Sequence, residues 1–505
     1  MKPGFQAAGL AVLVVAACNF PGLGSRRPTF EDVMATISAV TPVATRTLPP
    51  TASPDPASIP REPRRPFPSA EPPGVPYSYS TRAGDTLEAL TLRFQANPTT
   101  VESSALHPGA GFMPIGTQLR FPNVLESVSP GGDLLPDAEV VYSPAAADFD
   151  VYAFVEAAGG TLAHYSEALE DGTLLGGAAI VQRVADENSV NPRLLLAILE
   201  WRSGWVYGSL PDADAVRYPI GFRLSGRSGL YPELTVAATQ LNLGYYGWRA
   251  GTMVETRAGT GETIRWNPTL NAGTVAVLRL SVLLEESAWL EAIVGRRGFR
   301  AVYEAMFADA WIREAAAGPL LPDHLVQPSL ELPFAVGERW SLTAGPHNAW
   351  SYGTPRGALD FSPMTGGKPC DVSPAWVTAS APGVVVRAAD NAVALDLDGD
   401  GRESTGWVLL YYHLAAEGMI PPWVRVETGD PLGHPSCEGG RATGKHVHLA
   451  RKYNGEWLAA DGPVPFVLGG WTAVADARNY YGSLVRGGDV VTSDSGGGRG
   501  SMIWR

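Results

Sequence analysis

The chain has 505 residues, of which 45% are hydrophobic and only 18% charged, enough for roughly two to four domains that each bury a core of their own. Its 38 basic and 51 acidic residues give a formal charge of -13, and no Lys/Arg-rich run forms a phosphate-tracking stripe. Nucleic acid is therefore a poor candidate partner.

Met1 and Lys2 precede an apolar stretch from Ala7 to Ala17. It is shorter than the about 20 residues that a spanning helix needs, but it suits a signal-peptide core. Residues 1–17 read as a signal peptide, and the chain as exported. The run Val15-Ala16-Ala17-Cys18 resembles the bacterial lipobox, which implies cleavage before Cys18, acylation of its sulfur and attachment to a membrane at the cell envelope. Ordinary signal cleavage after a small residue is the alternative. An odd cysteine in an exported chain needs an explanation. Lipidation of Cys18 supplies one and leaves the other two cysteines, Cys370 and Cys437, free to pair or to remain thiols. Closing the loop between them would stabilise the fold by about 4 kcal/mol.

Residues 18–76 read as a tether. From Thr41 to Pro76 prolines crowd the sequence and apolar anchors are few, which favours an extended, solvated chain. At about 3.1 Å per residue it would reach on the order of 100 Å. Residues 77–124 follow, where Gly84-Asp85-Thr86-Leu87 opens a helical pattern that Asp85 or Thr86 can cap, and Gly116 to Pro122 closes with strand-like alternation. This segment resembles a LysM module, which implies binding to N-acetylglucosamine-containing glycan.

Residues 145–328 are helical by pattern. Asn191-Pro192 is a start signal leading into Leu194, Leu195, Leu196, Ile198 and Leu199. The run from Pro192 to Trp205 resembles the first active-site helix of lysozyme-like transglycosylases. That chemistry needs a carboxyl just before the serine, and here Arg202 precedes Ser203. Glu200 is about 200° away around the helix and does not substitute. A carboxyl elsewhere, such as Glu255 or Glu262, is the remaining source of an acid. The region is expected to be a non-catalytic helical domain that keeps a glycan groove; an unrelated helical spacer is the alternative.

Five of the eight histidines lie between His347 and His448. Gly345-Pro346-His347 precedes Ala358-Leu359-Asp360-Phe361-Ser362, the run Val408 to Tyr412 ends at His413, and Gly444-Lys445-His446-Val447-His448-Leu449 gives His-x-His in a strand-like setting. On a strand, alternate residues share a face, so His446 and His448 project together about 7 Å apart. One can bind a metal while the other reaches water beside it. Two imidazoles and a carboxylate suit a catalytic zinc with an open position. The same set also suits non-haem iron.

These segments resemble, in order, the M23 family of zinc metallopeptidases of the LasA or lysostaphin type, over about residues 332–470. The Gly-Pro-His and Leu-Asp-Phe-Ser segments look closest to the LasA-like branch. The resemblance implies His347, Asp360 and His448 as zinc ligands, and His413 and His446 as the catalytic pair, their division of labour left open. It favours zinc over iron. It further implies hydrolysis of peptide cross-links in peptidoglycan, with glycan strands and stem peptides as partners; the alternative is an inactive scaffold or activator of other wall hydrolases. His434 fits no motif position and reads as structural.

Asp396, Asp398 and Asp400 alternate like the start of a calcium loop, but position twelve is Trp407 rather than a bidentate glutamate. A hairpin tip accounts for the same letters and is the preferred reading. Strand-like runs at Trp376 to Ala388, Ala392 to Leu397, Trp407 to His413 and Lys445 to Tyr453 predict antiparallel β structure. The sequence thus predicts a multidomain chain, with a small α+β module, a mainly helical middle domain and an antiparallel β peptidase-type domain over residues 330–476. The Gly/Ser-rich tail over 487–505 is expected to stay unpacked.

Overall fold

The computed structural model describes residues 67–505 apart from 73, 106–110 and 210–211. The expected signal peptide, Cys18 and most of the proline-rich segment lie outside the described residues. The end of that segment is anchored, since Pro68 O accepts a hydrogen bond from Gly131 N at 2.9 Å. Among the described residues no helix is long and apolar enough to cross a membrane.

The first module contains β1 (Tyr77–Ser80), α1 (Leu87–Phe94), β2 (Glu102–Ser103) and β3 (Gln118–Phe121). Its sheet has the order β1-β3-β2 and is antiparallel throughout. Thr86 caps α1, its Oγ1 accepting from Ala89 N at 3.2 Å. Asp85 serves another purpose: it accepts from Tyr79 Oη at 2.7 Å and pairs with buried Arg93 at 3.0 Å. Tyr77, Tyr79, Leu90, Phe94, Leu119 and Phe121 form the core. The module is docked rather than free. Arg93 Nε donates to Trp248 O at 2.9 Å, and Ile115 N donates to Asp323 Oδ1 at 2.8 Å.

The middle region is helical, built from α2 (Val151–Ala158), α3 (Gly177–Asn188), α4 (Pro192–Ser203), α5 (Leu230–Arg249), α6 (Ala272–Glu285) and α7 (Phe299–Phe307). α4 begins as its sequence requires. Asn191 Oδ1 accepts from Arg193 N at 2.9 Å, Pro192 occupies the first turn, and Gly204 at φ 66° ends the helix. Residues 194–199 are fully buried. The apolar core of these helices is continuous with one face of the following sheet, through Ala349, Ala358, Ala392, Leu410, Ala450 and Trp457. An interface of core-like composition holds two domains in a fixed relation.

The C-terminal part contains β4 (Arg339–Asn348), β5 (Arg356–Pro363), β6 (Gly383–Ala389), β7 (Ala392–Asp396), β8 (Trp407–Tyr412), β9 (Arg425–Val426), β10 (Val447–Tyr453), β11 (Trp471–Ala475), β12 (Gly482–Arg486), β13 (Asp489–Thr492) and β14 (Met502–Trp504). The main sheet runs β9-β6-β7-β8-β10-β5-β4-β14, with every pairing antiparallel. Its register sets Asp360 opposite His448, and His448 opposite Tyr412.

Two expectations are corrected. The run from Trp376 to Ala388 is two strands, because Val377–Thr378 pairs with Pro431–Gly433 and β6 starts only after Pro382, which has no N–H to give a ladder. The tail over 487–505 is packed. β13 joins β12, β14 joins β4, Ile503 is fully buried and Ser501 Oγ lies 2.7 Å from Ser341 Oγ. The β structure thus continues well past residue 476. Asp396 to Gly401 lie in the hairpin joining β7 to β8, with Gly399 and Gly401 at positive φ. Asp396 turns its carboxylate onto the hairpin backbone, accepting from Asp398 N and Gly399 N at 3.1 Å and from Gly401 N at 2.8 Å.

Candidate metal centre and active site

β5 and β10 bring Asp360 and His448 together, and irregular register between β4 and β5 at Ala344 to Asn348 re-aims His347 toward them. His347 Nε2 lies 3.1 Å from His448 Nδ1 and 3.2 Å from Asp360 Oδ1, while His448 Nδ1 lies 3.4 Å from the same oxygen. All three residues are buried.

The outward nitrogens of both rings are already committed. His347 Nδ1 sits 2.9 Å from Gly345 O, and His448 Nε2 sits 2.9 Å from Ala349 O. A carbonyl only accepts, so each outer nitrogen carries the hydrogen and each inner nitrogen presents a lone pair. Asp360 Oδ1 is buried with no hydrogen-bond partner. Three acceptors therefore face one point with no donor among them, an arrangement that a cation resolves. A tetrahedral zinc with bonds near 2.0–2.1 Å separates its ligand atoms by about 3.3 Å, which these distances match.

The remaining two histidines flank this cluster. His413 follows β8 with φ 65°, a left-handed conformation that strains a non-glycine residue. Its Nδ1 donates to Glu438 O at 3.0 Å, which leaves Nε2 free. His446 Nδ1 donates to Gly444 O at 2.7 Å, and its Nε2 is 3.6 Å from Asp360 Oδ2. The rings of His413 and His446 are 4.6 Å apart, and those of His413 and His448 6.3 Å. Although His446 precedes β10, it keeps the strand parity that puts it beside His448.

Burial and the neighbouring His446 push His413 down to about 4, so at neutral pH it is an uncharged base. Burial likewise lowers His448. Burial opposes charge on Asp360, but His347 and His446 outweigh it and hold the carboxyl well below its usual range. For His347, burial is outweighed by Asp360, which raises the ring: a proton on Nε2 would answer the same carboxylate that a cation answers, so proton and cation compete for that lone pair.

The cluster opens into a cleft of about 1210 Å³. Trp350, Tyr352, Tyr412, Tyr480 and Tyr481 supply aromatic walls. Two further loops lining the cleft carry Lys368 and Arg441 and are tied together by the Cys370–Cys437 disulfide with Cα atoms 5.1 Å apart. His434 lies outside the cleft, against Trp376, with Nδ1 bonded to Ala375 O at 2.9 Å, as a structural residue would. The structure brings together all five His/Asp positions singled out in the sequence. It adds three that the sequence does not reveal: Tyr480 stacked on His347, and Glu438 with Asn391 behind His413.

In the middle domain Arg202 is ion-paired with Glu285 and donates to Ile220 O at 2.9 Å. Glu200 instead accepts from Val206 N at 3.0 Å and Tyr207 N at 3.1 Å.

A carboxylate and two imidazoles with inward lone pairs, beside two further imidazoles in an open cleft, form the donor set of a mononuclear metallohydrolase. Comparison with known proteins agrees with that class. Residues 133–319 match the family model described as LasA, N-terminal domain. Protease LasA of Pseudomonas aeruginosa is 26% identical over 319 residues, covering 58% of this chain and 71% of the relative. Beta-lytic metalloendopeptidase of Achromobacter lyticus is 28% identical over 158 residues, covering 30% of this chain and 39% of the relative. Among solved structures, the M23 metalloprotease pseudoalterin aligns at 22% identity with a TM-score of 0.28, over 36% of this chain and 100% of its own. The chain is thus similar to LasA over residues 133–319 and, over stretches of 319 and 158 residues, to proteins named as a protease and a metalloendopeptidase.

Proposed function

We propose that the chain is an exported zinc endopeptidase that hydrolyses peptide cross-links of bacterial peptidoglycan. In this reading it is anchored to a membrane through a lipid on Cys18, and its first module binds wall glycan. The observation that carries the activity is the convergence of three acceptor atoms, from His347, Asp360 and His448, beside the free Nε2 of His413. When bound, zinc acts as a Lewis acid and brings the ionisation of water near neutrality. His413, uncharged with its hydrogen on Nδ1, accepts a proton at Nε2 from water entering the cleft. His446 in its doubly protonated form carries the complementary role, keeping Gly444 O on Nδ1 while presenting an Nε2 proton to the oxyanion that forms at the scissile carbonyl. The aromatic walls and the Lys368/Arg441 side of the cleft position the peptide.

The test is digestion of purified wall by the full chain, with new amino termini identified by mass spectrometry and bound zinc measured in parallel. His448→Ala is expected to lose metal and activity together. His413→Ala keeps the zinc and loses about 10²- to 10⁴-fold in turnover. Absence of new termini with zinc fully bound would favour the inactive scaffold.

A further inference from the structure

His413 is held by groups that lie outside the metal cluster. Its Nδ1–H reaches Glu438 O at 3.0 Å, and that stretch of main chain is itself tied back to His413. Ser436 N and Oγ both donate to His413 O, at 2.8 and 3.0 Å, and Ser436 Oγ accepts from Glu438 N at 3.0 Å. The Glu438 carboxylate crosses to the other side of the segment. There Oε2 accepts from Ala416 N and from Asn391 Nδ2, each at 2.9 Å. Asn391 Nδ2 also donates to Leu414 O at 2.9 Å, and Asn391 O accepts from Leu414 N at 3.1 Å. The strained residue is thus bracketed by contacts to its own carbonyl and to the residues that follow it.

The bracket has a footing in the middle domain. Asp390 and Asn391 form the turn between β6 and β7 at φ 53° and 63°, and Asp390 pairs with Arg183 of α3 at 3.1 Å. We propose that Glu438 and Asn391 are positioning residues that hold His413 in its left-handed conformation and in the tautomer that opens Nε2 to the cleft. Through Arg183 the helical domain supports the same bracket. Released from it, the backbone of His413 relaxes toward the extended region that follows naturally from β8, and the ring leaves its carbonyl partner. The inference rests on the reading of His413 as the catalytic base.

The test uses the zinc-loaded full chain with ¹⁵N-labelled histidine, and reads kcat, KM, zinc content and the His413 Nδ1–H resonance. Asn391→Gly removes the amide while keeping the main-chain oxygen and tolerating positive φ. Glu438→Ala removes the carboxylate, and Glu438→Gln keeps an acceptor oxygen. Asn391→Gly and Glu438→Ala are expected to lower kcat on the order of 10²-fold, as small misplacements of a reacting group do, at unchanged KM and zinc content, with the Nδ1–H signal lost. Glu438→Gln is expected to recover most of both. An unchanged kcat and signal in both truncations, or zinc lost in step with kcat, overturns the proposal. If the unsubstituted chain does not cut wall peptides, yet the signal still disappears in the truncations, the bracket stands and the catalytic reading falls.

Discussion

Tyr480 stacks on His347 with ring centroids 4.6 Å apart and planes at 22°. The hairpin between β11 and β12 delivers it, and that hairpin is locked to the ligand's own strand: Gly345 N donates to Tyr480 O at 2.8 Å and Tyr480 N to Pro346 O at 3.3 Å. The approach requires glycine, since a Cβ at position 345 would sit 2.6 Å from Gly482 N. The ring therefore fixes the plane of a candidate ligand from behind. Because Tyr480 is half exposed, Tyr480→Ala is expected to leave the fold intact while weakening zinc about 10-fold, at the low end for groups that orient metal ligands. Competition against a graded chelator measures this, and an unchanged zinc affinity would count against the orienting role.

The His/Asp cluster is readable in the sequence because its members sit in short motifs whose spacing has physical meaning, above all the strand parity of His446 and His448. Tyr480, Glu438 and Asn391 are not, because they come from turns, where no period tells which way a side chain points. The same limit applies to the tail. Composition is a poor guide there: Ser493 to Gly500 reads as unpacked chain, yet Val491 and Ile503 on either side of it are buried and their strands complete sheets. In the middle domain the Asn-Pro start is visible from local chemistry, whereas the docking of the helices on the sheet depends on small residues such as Ala392 and Ala450 that carry no signal of their own.

Arg249 joins three parts of the chain. Its Nη2 lies 3.2 Å from Glu456 Oε2 and 3.2 Å from Asp137 Oδ2, and its Nη1 donates to Ala83 O of the first module. Both Arg249 and Glu456 are nearly inaccessible to water. Arg249→Ala leaves two carboxylates without their shared cation in a buried setting, which is expected to cost about 3–5 kcal/mol. The readout is a lower denaturant midpoint. A shift no larger than that of a surface substitution would mean that the network is not an anchor.

Asp186 of α3 faces Glu403, Arg387 and Lys452 of the sheet domain, and accepts from Gln182 Nε2 at 2.9 Å. Burial, reinforced by Glu403, pushes Asp186 up to about 7, whereas Arg387 and Lys452 overcome burial and hold Glu403 down to about 2. With Asp186 raised, the folded chain binds more protons than the unfolded one between about 4 and 7, so this group's contribution to stability falls as pH rises through that window. Asp186→Asn is expected to flatten the dependence and to stabilise the chain relative to wild type above pH 7. Thermal unfolding from pH 4 to 8 tests it; parallel profiles for both proteins would remove Asp186 as the source.

The helical domain is expected to show no glycosidase activity, because the candidate groups at the end of α4 and the start of α5 are engaged by other parts of the fold. Arg202 stands at the position where the resemblance to transglycosylases would put a proton donor, keeps its own proton at any working pH, and is paired with Glu285. Glu200 is occupied by the backbone N–H groups of Val206 and Tyr207. Glu233 is fully buried, with Oε2 accepting from Ile220 N at 3.2 Å, Gly221 N at 2.7 Å and Phe222 N at 3.1 Å, so it orders a loop rather than meeting a sugar. Glu255 and Glu262 are exposed on a separate hairpin formed by residues 255–257 and 263–265. Incubating the full chain with uncrosslinked glycan strands is therefore expected to leave their length unchanged by mass spectrometry, even when glycan is bound. Anhydro-muramyl or new reducing ends would show that one of these carboxyls acts on glycan after all, and Glu255→Gln and Glu262→Gln would then identify which.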